Sequence, residues 1–191
     1  MPVEPAYVPP MPRPAALLTA DELLQARLPN TRAELVRGVL RVREPAGFLH
    51  GRVAMHLGAE LRAYVKDSDA GTVLAAETGF KLQTDPDTVR APDVAFVSRG
   101  REPPSHATGF ADLAPDLVAE VLSPDDQPGE VLGKVADWLS AGTRLVWVVD
   151  PLRRVVRVYR QGGSETIVTA DGGLDGEDVL PGSACPLATI L

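Results

Sequence analysis

Apolar positions along this chain change period several times, and each change marks an element. Residues 50–66 are the clearest helix: Val53, Ala54, Leu57, Leu61, Tyr64 and Val65 recur at helical spacing, and residues 67–71 close it. Before it, Thr19-Ala-Asp-Glu22 reads as a capping box opening a short helix with Leu23, Leu24 and Leu28 as its stripe and Pro29-Asn30 as its stop. Glu34-Leu-Val-Arg-Gly-Val-Leu-Arg-Val-Arg43 has apolar residues on both sides of Arg37-Gly38, which predicts a hairpin. Two short strands are expected near residues 72–76 and 78–83. The turn Asp85-Pro-Asp-Thr88 then leads into Val94-Ala-Phe-Val97, and residues 100–111 form a loop.

Asp116-Leu-Val-Ala-Glu-Val-Leu122 is a near-continuous apolar run, the signature of a strand buried on both faces. A helix over residues 131–141, stopped by Gly142, separates it from a second such run, Arg144-Leu-Val-Trp-Val-Val149. Asp150-Pro151 makes a turn, and antiparallel strands follow at residues 155–159 and 165–169. Antiparallel strands first, then one strand–helix–strand unit over residues 116–150, predict an α/β fold of α+β type with a central mixed sheet flanked by helices. If the two strands of that unit are parallel, the crossover is right-handed.

Composition adds limits. The 191 residues suit one domain, and 45% of them are apolar, enough for a core. Residues 1–18 are set apart as a proline-rich arm, with six prolines between Met1 and Pro14, and residues 19–191 as a single domain. No run is long and apolar enough to span a bilayer and no signal pattern opens the chain, so a cytoplasmic protein is expected. The lone Cys185 builds no disulfide framework and reads as a packing residue. Net charge is −7, which argues against a high-affinity DNA-binding module, since phosphate-gripping surfaces carry a basic surplus. It leaves room for an enzyme that touches nucleic acid briefly. Arg153, Arg154, Arg157 and Arg160 form a solvated face and the best candidate for a phosphate-contacting patch.

Chemistry concentrates in a few residues. Glu120 interrupts the apolar run, and a carboxylate buried there unpaired costs several kcal/mol, so a cation, a metal or a proton must compensate. The ordinary alternative is an edge-strand glutamate or a structural ion pair. Asp93 falls where a turn gives way to a strand in Arg90-Ala-Pro-Asp-Val-Ala-Phe-Val97; alone it reads as a turn cap, but with Glu120 it makes an oxygen-rich site suited to Mg²⁺ or Mn²⁺. Lys134 has two readings: a surface pair with Glu130 at i,i+4, or a cation bordering the buried face of its helix and reaching the strand end that holds Glu120. Glu34 opens a strand and looks unremarkable by itself. His50 begins the long helix, where a local polar contact is the usual role. No histidine or cysteine spacing fits zinc, and there is no phosphate-cradling glycine loop and no nucleophile elbow.

Taken in order, the blocks Glu34-Leu-Val-Arg-Gly-Val-Leu40, His50 with its helix, Arg90-Ala-Pro-Asp-Val-Ala-Phe-Val97, Pro115-Asp-Leu-Val-Ala-Glu-Val-Leu-Ser-Pro124, Lys134-Val-Ala-Asp-Trp-Leu-Ser-Ala-Gly142 and Val146-Trp-Val-Val-Asp-Pro151 resemble the Uma-two family of endonucleases. That family belongs to the restriction-endonuclease-like superfamily with the PD-(D/E)xK signature. The resemblance implies a restriction-endonuclease-like core and a Mg²⁺- or Mn²⁺-dependent endonuclease acting on nucleic acid, DNA foremost. It makes Pro92-Asp93 the PD element, with Asp93 and Glu120 as metal ligands. Where the usual signature has its lysine, two residues after the acid, this chain has Leu122; Lys134 resembles a relocated lysine projecting from the following helix. Glu34 resembles the additional acid supplied by an earlier element, as a metal ligand directly or through water. The competing reading is a degenerate nuclease fold used for binding or assembly. A weaker third is a metal-dependent hydrolase of a smaller phosphodiester. The apolar strand near Trp147 and the proline-rich arm lead to the expectation of a homodimer.

Overall fold

The structure is a computed structural model, and it describes residues 16–26, 28 and 32–191. Most of the proline-rich arm and the Pro29-Asn30 helix stop therefore lie outside the described residues.

The first described element is the helix α1 (Ala20–Gln25), opened by the expected capping box: the Thr19 hydroxyl accepts from the Glu22 N–H, and the Glu22 carboxylate accepts from the Thr19 N–H. The predicted hairpin follows as β1 (Arg32–Val36) and β2 (Val39–Arg43). Val36 pairs with Val39, leaving Arg37-Gly38 as a two-residue turn with both φ positive, 48° and 76°. Such a turn matches strand twist, and Gly38 meets it without strain. The long helix α2 (Phe48–Ser68) buries Val53, Leu57, Leu61 and Val65 along one stripe. Each of these side chains is worth about 1.5–3 kcal/mol of burial.

Strands β3 (Gly71–Ala75), β4 (Phe80–Gln83), β5 (Thr88–Arg90) and β6 (Val94–Ser98) come next. β5 starts at the last residue of the predicted turn, Thr88, and runs through Val89 and Arg90, to which the sequence reading gives no element. It is three residues long, too short to show a period. The core unit is β7 (Leu117–Val121), α3 (Pro128–Ser140) and β8 (Leu145–Asp150), followed by β9 (Val155–Arg160) and β10 (Glu165–Thr169). α3 begins three residues before the apolar period does, because Pro128 occupies a first-turn position where its missing N–H costs nothing. The chain ends in β11 (Gly173–Gly176), β12 (Leu180–Pro186) and α4 (Leu187–Ile190), none of which the apolar pattern predicts.

β10-β9-β8-β7-β6-β3 form a six-stranded mixed sheet in which β7 and β8 are parallel. The predicted central mixed sheet is therefore present, with its parallel pair where the strand–helix–strand unit places it. A second sheet, β2-β1-β5-β4, stands beside it. Along β7 the side chains alternate: Leu117, Ala119 and Val121 join the core under α2 and α4, while Val118 joins the core under α3. Glu120 shares the parity of Val118, so it points toward α3. Cys185 is buried in the first of these cores, as a packing residue should be.

Candidate active site

The register of the large sheet brings the two predicted acids together. β6 and β7 are antiparallel, with Val94 opposite Ala119 and Ala95 opposite Val118. Asp93 immediately precedes β6, and its Oδ2 accepts from the Val121 N–H of β7, next to Glu120, so the two carboxylates stand near each other and their like charges repel. Both carboxylates are buried, Asp93 at 6% and Glu120 at 5% exposure, so cations must compensate them.

α3 supplies part of that compensation. Lys134 and Trp138 stand four residues apart on one face, which places them one above the other. Lys134 Nζ lies 2.8 Å from Glu120 Oε2, and Trp138 Nε1 donates to Glu120 Oε1 at 2.9 Å. The alternative partner of Lys134, Glu130, pairs instead with Arg43. Lys134 is itself nearly buried, and it also stands 3.8 Å from Glu34 Oε1. Burial pulls its pKa down, but the charges of Glu120 and Glu34 outweigh this and hold it above the usual lysine range. Burial pushes the Glu120 carboxyl up, and Asp93 and Glu34 push it further, against the pull of Lys134.

Asp93 is held from three sides. Arg32 Nη2 donates to its Oδ1 at 3.1 Å, the Val121 N–H donates to its Oδ2 at 2.8 Å, and His50 Nε2 lies 3.1 Å from the same Oδ2. Burial raises its pKa, but these partners, His50 first, bring it below the usual aspartate range. His50 thus has a definite place, at the start of α2 against the first acid.

Glu34 reaches the site from β1. Its Oε2 accepts from Arg90 Nη1 at 2.8 Å and its Oε1 from the Ala91 N–H at 3.1 Å. Burial raises its pKa, while Lys134, Arg90 and the Ala91 N–H together leave it lowered. Arg90 also donates from Nε and Nη2 to Asp137 Oδ2, at 3.0 and 2.6 Å. This buried guanidinium ties β5 to α3 one turn beyond Lys134. Sequence reasoning assigned no role to Arg90, Asp137, Arg32 or Trp138. A signal was present for Arg90: it is a cation set between Val89 and Ala91-Pro92, the same conflict of charge and apolar context that singles out Glu120.

All four predicted residues line one open cleft of about 690 Å³, with Arg32, Arg43 and His50. Its donors are carboxylate oxygens, hard ligands that fit Mg²⁺ or Mn²⁺ in chemistry. Each oxygen of Glu34, Asp93 and Glu120 faces a protein donor, and among the described residues no group of three His, Cys, Asp or Glu side chains is arranged to hold a metal ion. The arginine patch at and just before β9 fares differently from expectation. Arg153 pairs with Asp150, Arg157 with Glu165 and Arg160 with Glu177, and Arg154 Nη1 donates to the Leu191 carbonyl, so its charge is largely spent on the protein itself.

The Uma2 family model, described as "Putative restriction endonuclease", matches residues 20–188. A crystal structure from Anabaena variabilis, described as "a putative nuclease belonging to DUF820", superposes with a TM-score of 0.78 at 22% identity, covering 91% of this chain and 97% of that one. That likeness establishes the fold. No curated protein matches in sequence. Among the described residues no helix is long and apolar enough to cross a membrane.

Proposed function

We propose that this chain, which belongs to the Uma2 family of restriction-endonuclease-like proteins, hydrolyses nucleic-acid phosphodiester bonds with a divalent cation. The observation that carries this reading is the meeting of Asp93 and Glu120 in one cleft, with Lys134 Nζ 2.8 Å from Glu120. Asp93 and Glu120 would hold Mg²⁺ or Mn²⁺, with Glu34 directly or through water. When bound, the cation would polarise the scissile phosphate and acidify water. Lys134, kept charged by Glu120 and Glu34, orients the attacking water and stabilises charge developing on the phosphate. Arg90 fixes Glu34 and, through Asp137, the helix that aims Lys134. His50 and Arg32 hold the Asp93 carboxylate in its place. The same proposal takes residues 19–191 as one domain and the protein as a cytoplasmic homodimer acting on DNA.

A second reading, a nuclease fold used for binding or assembly, is favoured by the carboxylates' being satisfied by protein donors and by the net charge of −7. Titration of the metal-stripped protein with Mn²⁺ by calorimetry, beside Glu120→Ala, separates the two. Saturable binding lost in the variant, followed by Mn²⁺-dependent cleavage of single-stranded or duplex DNA, establishes the first. Absence of both binding and cleavage with the folded wild type leaves the second.

A further inference from the structure

A second cavity, about 1140 Å³, opens from the first and shares Arg32, His50 and Asp93 with it. It is a groove between α2 and the sheet edge. Gly51, Ala54 and Gly58 of α2 line it on one side and Val73 of β3 on the other. Gly51, Ala54 and Gly58 recur at helical spacing and so form a strip of small residues, while Ala63 lines the groove from further round the helix. The groove runs along α2 from His50 to Lys66, about 24 Å at 1.5 Å per residue. Met55, 68% exposed, also lines it.

Charge distinguishes this groove from the first cleft, whose Arg32, Arg43 and Lys134 are all paired with carboxylates. Among the described residues, Arg62 and Lys66 are the two cations that line a cavity of the site and make no ion pair with a carboxylate. They stand four residues apart on an exposed helix face, where like charges cost about 0.2–0.5 kcal/mol. An anion laid across both relieves that repulsion. In a chain with net charge −7, two unpaired cations at the far end of a groove leading to Asp93 are a local reversal of sign. The two acidic residues that line both cavities, Glu77 and Asp93, belong to the part of the groove it shares with the site, and neither Arg62 nor Lys66 lines the first cavity.

We infer that the α2–β3 groove is the track of a single nucleic-acid strand, with its phosphates on Arg62 and Lys66 and its bases against the apolar floor. A duplex keeps its base faces stacked inside and offers phosphate and sugar outward, which leaves an apolar floor without use. A single strand exposes base faces that gain from apolar contact. The inference rests on the nuclease reading for its direction, since the track delivers the strand to Asp93 and Glu120.

Binding is measured by fluorescence anisotropy with a labelled oligothymidylate of about 12 nucleotides in EDTA, so that no cleavage is needed. Wild type should bind it more tightly than a duplex of equal length. Arg62→Glu with Lys66→Glu should weaken binding at least tenfold. Arg62→Ala with Lys66→Ala should lower the slope of log affinity against log salt by about 1.4, from about 0.7 per single-strand phosphate contact. Arg52→Glu is the control: the same helix and the same unpaired charge, but outside the groove. It should leave affinity within twofold. Equal weakening by Arg52→Glu, preference for duplex, or no binding by wild type each overturns the inference. So does a change from dimer to monomer in the double variant with oligonucleotide affinity unchanged, which would give the groove to a second copy of the chain. Binding that follows the prediction without any Mn²⁺-dependent cleavage sinks the nuclease reading and leaves the track standing.

Discussion

Replacing Lys134 by Met keeps the length of the side chain and removes the charge that faces Glu120 at 2.8 Å. The gross attraction in this pair is about 6 kcal/mol at an effective dielectric near 20. The measured loss must be smaller, because Glu120 escapes by taking up a proton. Protonating a glutamate of ordinary pKa, about 4.3, costs about 1.4 kcal/mol for each pH unit above that value. The ceiling is therefore about 3.7 kcal/mol at pH 7 and about 1.6 kcal/mol at pH 5.5. The direction follows from the carboxyl group. Burial, with Asp93 and Glu34, already raises its folded pKa, and losing Lys134 raises it further. The variant's deficit is then smallest near the unfolded pKa, grows as pH rises, and levels off once Glu120 ionises in the folded state. Urea denaturation of both proteins from pH 5 to pH 8 reads this directly. Adding Glu120→Gln to Lys134→Met should recover most of the loss at pH 7, since the amide oxygen still accepts from Trp138. A deficit independent of pH, or a double variant no more stable than the single one, would show that Glu120 is not a buried charge held by Lys134.

Other expectations follow from the same contacts. Trp138→Phe removes the donor to Glu120 and should cost about 1–3 kcal/mol in chemical denaturation, with the fold retained. Arg90→Met leaves Glu34 and Asp137 without their shared cation and should cost about 3–5 kcal/mol, well above the loss of no more than about 1 kcal/mol from Arg43→Ala at its part-exposed pairs. Asp93 has a folded pKa below its unfolded one, so its contribution is complete above pH ~4 and is lost as pH falls; Asp93→Asn should flatten the acid limb of the stability profile. Leu57→Ala, in the α2 core away from the cleft, should lower stability by about 2–5 kcal/mol, and any metal-dependent cleavage at low temperature should survive it.

The elements that were legible have long apolar stretches of one period. α2, β7, α3 and β8 fall within a few residues of expectation, and the capping box of α1 and the Arg37-Gly38 turn are local signals that the structure keeps. β5, β11 and β12 were missed for the opposite reason. They are short or glycine-rich, and they are strands because neighbours pair with them. The site divides the same way. A carboxylate inside Leu-Val-Ala-Glu-Val-Leu conflicts with its surroundings, and that conflict is visible without coordinates.

Which cation answers each carboxylate is a different kind of question. Lys134 has an acid within reach at i,i+4, yet it pairs with one 14 residues away on a buried strand. The arginines at and just before β9 look like a free patch in sequence and are largely consumed by acids and the Leu191 carbonyl around them. Arg62 and Lys66, unexceptional in sequence, are left unpaired in the groove along α2. The sequence by itself determined where backbone period, capping and misplaced charge occur, because those depend on residues within a few positions of one another. Tertiary structure alone decided the meeting of Asp93 and Glu120 in one cleft, the bridge of Arg90 and the sign of each cavity, because a chain with 26 acids and 19 bases admits many pairings and only packing selects among them.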